Sequence, residues 1–173
     1  VFFCEYNNSA TICILSFSQN LLTIKKYPYL RRVISGGDKC PQILAENWSA
    51  YHSFYNEYGP TEATIWSTYV RFDQYNQTNI GGPIPGISLY VLDEAHNLVP
   101  KGEKGELFIG GTQVAVGYFN NPDETAKCFF KDHFCNNSHS MMYKTGDLVR
   151  MSDNGILEFL GRKDKIEEHT SEL

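Results

Sequence analysis

Apolar and polar positions along the chain fall into two textures. Up to about residue 71, short apolar runs alternate with helix-like stretches: a run at 11–15, a helix-like stretch at 20–26, a run at 32–35, a helix-like stretch at 41–50 and a run at 53–58. That alternation predicts βαβ units and a parallel sheet. Pro41 suits the first position of a helix, where its missing N–H is not needed, and Gly36-Gly37 just before it suits a tight turn at the carboxyl end of a strand. Ligands of open α/β sheets gather at such turns.

Beyond residue 71 the turns Gly81-Gly82-Pro83 and Pro85-Gly86 precede short β-type runs at 88–92, 106–109 and 114–118, which predict an antiparallel, β-rich part. One helix interrupts it, opened by Asn121-Pro122-Asp123-Glu124 with its acidic first turn and predicted to reach about Lys131. At the end, the runs 143–150 and 156–161 are joined across Asp153-Asn154-Gly155, and Asn-Gly is the strongest short hairpin signal. With Asn154 and Gly155 as the loop, Ser152 falls opposite Leu157, Arg150 opposite Phe159, and Asp147 opposite Arg162. Paired positions share a face, and a different loop length would shift the register.

Composition narrows the function classes. The 173 residues are 42% apolar and 14% aromatic, enough to bury a core in one domain or two small ones. The net charge is −5, and the densest cationic spots are only the pairs Lys25-Lys26 and Arg31-Arg32, so nucleic acid is not an expected partner. Cys4, Cys13, Cys40, Cys128 and Cys135 are odd in number and lack CxxC spacing, which fits reduced thiols better than disulfides or zinc. The longest apolar run, 10–17, is strand-sized, so no membrane span is expected and the chain reads as soluble and cytoplasmic. Both ends read as cuts through ongoing structure, Val1-Phe2-Phe3 at the start and a polar tail after Gly161-Arg162-Lys163-Asp164 at the end.

Two places carry candidate chemistry. Asn56-Glu57-Tyr58-Gly59-Pro60-Thr61-Glu62 follows a predicted strand, and its Gly-Pro turn exposes backbone N–H groups beside a hydroxyl and a carboxylate able to serve a phosphate and its magnesium ion. Taken by composition alone it is an ordinary turn. The facing pair Asp147 and Arg162 is, by the same measure, a cross-strand salt bridge.

The motifs together resemble the adenylation domains of nonribosomal peptide synthetases, within the adenylate-forming superfamily. Asn56-Glu57-Tyr58-Gly59-Pro60-Thr61-Glu62 is similar to the family's Asn-x-Tyr-Gly-Pro-Thr-Glu block. Gly105-Glu106-Leu107-Phe108-Ile109-Gly110-Gly111 with Val114-Ala115-Val116-Gly117-Tyr118 is similar to its Gly-Glu-Leu block, and Tyr143-Lys144-Thr145-Gly146-Asp147-Leu148 to its Thr-Gly-Asp block. Gly161-Arg162-Lys163-Asp164 resembles the start of its hinge motif. The resemblance runs from about Leu30 to Asp164 and more weakly upstream. It departs at Val116, where the family usually has arginine, and at 165–173, which do not continue into the expected Lys-Ile-Arg-Gly.

The resemblance implies an α/β fold: 1–72 the C-terminal part of a parallel nucleotide-binding subdomain, 73–160 a β-rich subdomain, and 161–173 a hinge and truncated tail, with Asp164 at the hinge. It implies ATP and Mg2+ as cofactors. Tyr58 would stack on adenine, Gly36 and Gly37 would close its other side, Asn56 would bond the purine edge, and Phe159 would lie beneath the nucleotide. Thr61 would meet the α-phosphate, Glu62 would hold magnesium, Asp147 would bind the ribose hydroxyls and Arg162 would reach ribose or phosphate. Val33, Ser35, Glu57, Ile65 and Trp66, with Ile14 as an outlying addition, would line an amino-acid pocket, a tryptophan flattening it and a glutamate making it polar. The implied reaction joins a substrate carboxylate to the α-phosphorus of ATP, giving an aminoacyl adenylate and pyrophosphate for loading onto the phosphopantetheine arm of a carrier protein in a multidomain synthetase. The family's phosphate loop and catalytic lysine lie outside the matched residues, so the chain alone is expected to be inactive. An acyl- or aryl-CoA ligase and a non-catalytic remnant are the competing readings.

Overall fold

The computed structural model describes residues 2–6, 9–14, 28–72, 79–136 and 140–165, the first two stretches by backbone pairing. The described residues form two sheets and two helices. The first sheet has six strands in sequence order, β1 (Phe2–Tyr6), β2 (Ser9–Ile14), β3 (Leu30–Ser35), β4 (Ser53–Tyr58), β5 (Thr68–Arg71) and β6 (Gly82–Pro83). β2, β3 and β4 run parallel to one another, whereas β1 on one side and β5 and β6 on the other add antiparallel edges. The predicted helix at 20–26 lies outside the described residues.

Helix α1 (Gln42–Ser49) provides the crossover from β3 to β4, with Pro41 standing one place earlier than expected, as N-cap. Leu44, Ala45 and Trp48 form its buried stripe and pack on Val33 and Phe54 from the flanking strands. Burial of side chains the size of Leu44, Val33 and Phe54 stabilises the unit by about 1.5–3 kcal/mol each. The N–H groups of Tyr51 and His52 return to Trp48 O, ending the helix, and His52 Nδ1 meets Leu30 O at 3.0 Å, so β4 starts beside β3.

The second sheet is antiparallel, ordered β11 (Leu157–Arg162), β10 (Met141–Met151), β8 (Lys104–Gly111), β7 (Ile87–Leu92), with β9 (Phe129–Lys131) also paired to β10. Central β8 is buried on both faces: Leu107 and Ile109 enter one core with Val149 and Leu157, and Phe108 enters another with Leu92 and Met142. The two sheets are stitched where Ile80 N donates to Leu157 O (3.0 Å) and Leu157 N donates to Gly81 O (2.8 Å). Among the described residues no helix is long and apolar enough to cross a membrane.

Three local expectations change. Residues 114–118 form no strand; that segment leaves the sheet and Ala115 N donates instead to Glu62 O at 2.8 Å. Helix α2 (Pro122–Cys128) is capped as predicted, Asn121 accepting from Glu124 N, but ends before Lys131 because Phe129 and Phe130 pair with Tyr143 and Met142 of β10. In the β10–β11 hairpin, Ser152 N bonds Ile156 O, so the loop holds three residues and Met151, not Ser152, faces Leu157. Arg150 faces Glu158 instead of Phe159, and Phe159 faces Val149. Leu160 is then an extra residue, a β-bulge that returns Asp147 to its expected place opposite Arg162.

Candidate functional site

A cleft of about 540 Å³ opens where the carboxyl ends of β3 and β4 meet the second sheet. Its floor is the β4 end with the turn after it: Asn56, Glu57, Tyr58, Gly59, Pro60, then a 3-10 turn at Thr61–Ala63. Gly37 and its successors line one wall, and Tyr143, Thr145, Asp147, Phe159 and Arg162 of the hairpin line the other. Gly36 sits just behind, where an added Cβ would press on Glu57 O at 3.2 Å.

Asp147 enters the cleft because β10 breaks its ladder there. Thr145, Gly146 and Asp147 stand against the single residue Leu107 of β8. Thr145 substitutes for the lost backbone bond by donating its hydroxyl to Leu107 O (2.8 Å), and Thr145 Oγ1 in turn accepts from Asp147 N (3.0 Å). Gly146, at φ 74°, packs under the Arg162 guanidinium, and a Cβ there would lie 3.1 Å from Nη2. Arg162 Nη1 donates to Thr145 O (2.8 Å) and stands 3.5 Å from Asp147 Oδ1, while Nε and Nη2 meet the Asp164 carboxylate at 3.3 Å each.

The two sheets are joined across the cleft by Tyr58, whose hydroxyl donates to Asp147 Oδ2 at 2.5 Å. Its ring lies 6.5 Å from Phe159. Burial pushes the Asp147 carboxyl up, and the Tyr58 hydroxyl and Arg162 charge oppose that. The Tyr58 phenol is raised by burial and by the Asp147 charge, so it remains a donor. Burial alone pushes Glu57 up to about 7. Asn56 donates Nδ2 to Asn79 O at 2.6 Å, which uses one of its two amide N–H groups.

Glu62 lines the cleft with Oε1 accepting from Tyr118 Oη at 2.7 Å. The carboxylate is a hard oxygen donor, and no cluster of three or more His, Cys, Asp or Glu occurs among the described residues. A single carboxylate completed by phosphate oxygens and water is how magnesium is commonly held, so this donor set fits that ion better than a dedicated protein cage.

Nine of the sequence-derived residues therefore meet in one cleft: Gly37, Asn56, Glu57, Tyr58, Thr61, Glu62, Asp147, Phe159 and Arg162. Asp164 reaches it through Arg162. Val33 and Ser35 are fully buried behind it, and Ile65 and Trp66 are 61% and 41% exposed on the loop that follows Glu62. The side chain of Ile14 lies outside the described residues. The motifs assign no role to Thr145 or Tyr118, although both stand inside them, and neither residue carries a local sequence signal of its contact.

A cleft at the carboxyl ends of parallel strands, walled by a hairpin that carries an acid and a guanidinium, is the place where open α/β sheets bind their ligands. Residues 9–119 match the family described as AMP-binding enzyme, and the chain belongs to that family. It is 41% identical over 138 residues to nonribosomal peptide synthetase 5 of Aspergillus fumigatus, a match covering 80% of this chain and 6% of that protein. To adenylate-forming reductase 06235 of Coprinopsis cinerea it is 45% identical, over 80% of the chain and 13% of the reductase. Phosphinothricin tripeptide synthetase PhsC of Streptomyces viridochromogenes is 38% identical over 90% of the chain and 14% of that protein. Among solved structures, a four-domain nonribosomal peptide synthetase bound to AMP and glycine superposes with a TM-score of 0.72 at 37% identity, over 80% of this chain and 10% of that one. The chain thus spans a small part, 6–14%, of these curated relatives.

Proposed function

We propose that this segment forms the nucleotide-gripping part of an amino-acid adenylation domain. In that reaction a substrate carboxylate attacks the α-phosphorus of ATP, pyrophosphate leaves, and an aminoacyl adenylate remains for transfer to a carrier's phosphopantetheine arm. The observation that carries the reading is the convergence of Tyr58, Asp147 and Arg162, from two sheets, in one cleft at the ends of β3 and β4. A carboxylate flanked by a hydroxyl donor and a guanidinium suits a pair of ribose hydroxyls, and the flat face of Tyr58 suits a purine. Thr61 and Arg162 would meet phosphate oxygens, and Glu62 would hold the magnesium that neutralises them when bound. The rate enhancement of such a site comes from positioning and charge neutralisation.

The amino-acid side of the reading rests on synthetases among the relatives and on glycine in the AMP-bound neighbour. The reductases share adenylate formation by name, so that step is common to both groups. Val33, Ser35, Glu57, Ile65 and Trp66 are the proposed side-chain pocket. The subdomain division at residues 72 and 160, a hinge at Asp164, a cytoplasmic setting and membership in a larger synthetase belong to the same proposal. On this reading the 173-residue chain binds adenylate without turnover. Calorimetric titration with AMP tests the first half: saturable binding of AMP but not of nicotinamide mononucleotide is expected. Hydroxamate trapping by a whole domain carrying this segment tests the second, and preference for an acid lacking an α-amino group would refute the peptide-synthetase assignment.

A further inference from the structure

Glu62 is gripped from two directions by the segment that follows β8. Its backbone carbonyl accepts from Ala115 N at 2.8 Å, and its side-chain Oε1 accepts from Tyr118 Oη at 2.7 Å. Tyr118 is itself fixed at both ends. Its N–H donates to Thr125 Oγ1 (2.9 Å), whose hydroxyl donates to Asn121 O (2.8 Å), which ties it to the first turn of α2. Its ring packs edge-on against Phe129 at 5.4 Å, and Phe129 packs against Tyr143 at 5.1 Å on the cleft wall. Gly117 permits this approach, since a Cβ there would sit 2.5 Å from Thr125 Cγ2. The neighbouring apolar side chains, Val116 and Phe119, are 94% and 93% exposed, so the segment turns its tyrosine inward and leaves both of them in solvent. Apolar burial does not account for that choice.

We propose that Tyr118 is a positioning residue for Glu62. Its hydroxyl holds Oε1 and thereby presents Oε2 to the divalent cation that accompanies the nucleotide phosphates. A glutamate on a short turn samples several rotamers; one fixed oxygen removes that freedom before the cation arrives, and pre-organisation of this kind raises affinity without adding a contact. The proposal rests on the adenylate reading of the cleft and adds to it a residue from outside the nucleotide-lining set.

The test is ATP binding by this chain, measured by calorimetry with Mg2+ and again with EDTA. Tyr118→Phe keeps the ring against Phe129 and removes only the hydroxyl. It should reduce the Mg2+-dependent gain in ATP affinity about tenfold, while affinity in EDTA stays within about twofold and melting temperature is little changed. In a Glu62→Gln background, which keeps an acceptor but no charge, Tyr118→Phe should have no further effect on the Mg2+ dependence. Equal losses with and without Mg2+, or an undiminished effect of Tyr118→Phe in the Glu62→Gln background, would overturn the role. So would a wild-type chain that binds ATP equally with and without the cation. A wild-type chain that binds no ATP at all strikes the adenylate reading itself, and the positioning role falls with it.

Discussion

Asp147→Asn removes one charge from the cleft while keeping the side chain's size and an acceptor oxygen. Asp147 is 8% exposed; Oδ2 accepts from Tyr58 at 2.5 Å and Oδ1 faces Arg162 at 3.5 Å. A carboxylate offers about four lone-pair directions, so about two remain after these contacts, the number a ribose diol requires. Hydrogen bonds to a charged acceptor contribute about 1.5–3 kcal/mol, so the amide should weaken AMP binding by about ten- to a hundredfold. The effect on folding should be smaller. At 3.5 Å to a half-exposed guanidinium the ion pair is loose and contributes at most about 1 kcal/mol, and the Tyr58 hydroxyl still finds an oxygen. Calorimetry with AMP and with 2′-deoxy-AMP separates the roles. Loss of the ligand hydroxyl should cost the wild type about tenfold and cost the variant nothing further. A variant with lowered melting temperature but unchanged AMP affinity would show that Asp147 serves the fold and not the nucleotide.

Gly146→Ala should displace Arg162 from Thr145 O and lower stability by about 1–3 kcal/mol, from a positive-φ alanine and the crowded guanidinium together. Urea denaturation in an Arg162→Ala background should recover the crowding part, and equal costs in both backgrounds would refute the contact. Glu57 is raised from 4.5 to about 7 by burial, so between those values the native chain holds a proton that the unfolded chain releases. Stability should therefore fall as pH rises through that window, by about 1–2 kcal/mol after allowance for solvent screening, relative to Glu57→Gln. Parallel stability curves for the two proteins from pH 5 to 8 would rule out burial of this carboxyl.

Periodicity was enough for α1 and its flanking strands, because Leu44, Ala45 and Trp48 mark one helix face and the sheet needs that face covered. It was also enough for the centre of β8, where an apolar run is buried on both sides. Residues 114–118 are also a short, mostly apolar run and have a different fate. What decides it is a partner distant in sequence, the backbone of Glu62 and its carboxylate, together with a glycine that lets Thr125 approach. No local pattern reports such a contact. That the 56–62 turn, Asp147 and Arg162 come together was legible from motif order, whereas the burial of Val33 and Ser35, the exposure of Ile65 and Trp66, and the ladder break that carries Asp147 into the cleft were not. Thr145 makes that break tolerable by giving Leu107 O a side-chain donor, and a threonine within a strand-like run gives no sign of it.

The hairpin shows why a correct pairing can rest on an incorrect register. A two-residue loop with no bulge would place Arg162 opposite Asp147, but it would also place Phe159 opposite Arg150 and turn Leu157 and Phe159 away from the core. Side chains alternate faces along a strand, so Phe159 and Arg162, three residues apart, would then point to opposite sides. The observed three-residue loop moves Leu157 opposite Met151 and Phe159 opposite Val149, which buries Leu157 completely and sets Glu158 beside Arg150 with 3.6 Å between their charged atoms. Left uncorrected, that shift would carry Arg162 off the Asp147 face. The bulge at Leu160 reverses it, and Phe159 and Arg162 come to the same side of the hairpin, one 6.5 Å from the Tyr58 ring and the other against Asp147. The loop therefore satisfies the core and the bulge satisfies the cleft: the apolar alternation of Leu157 and Phe159 around Glu158 requires the first, and the facing of Arg162 to Asp147 requires the second.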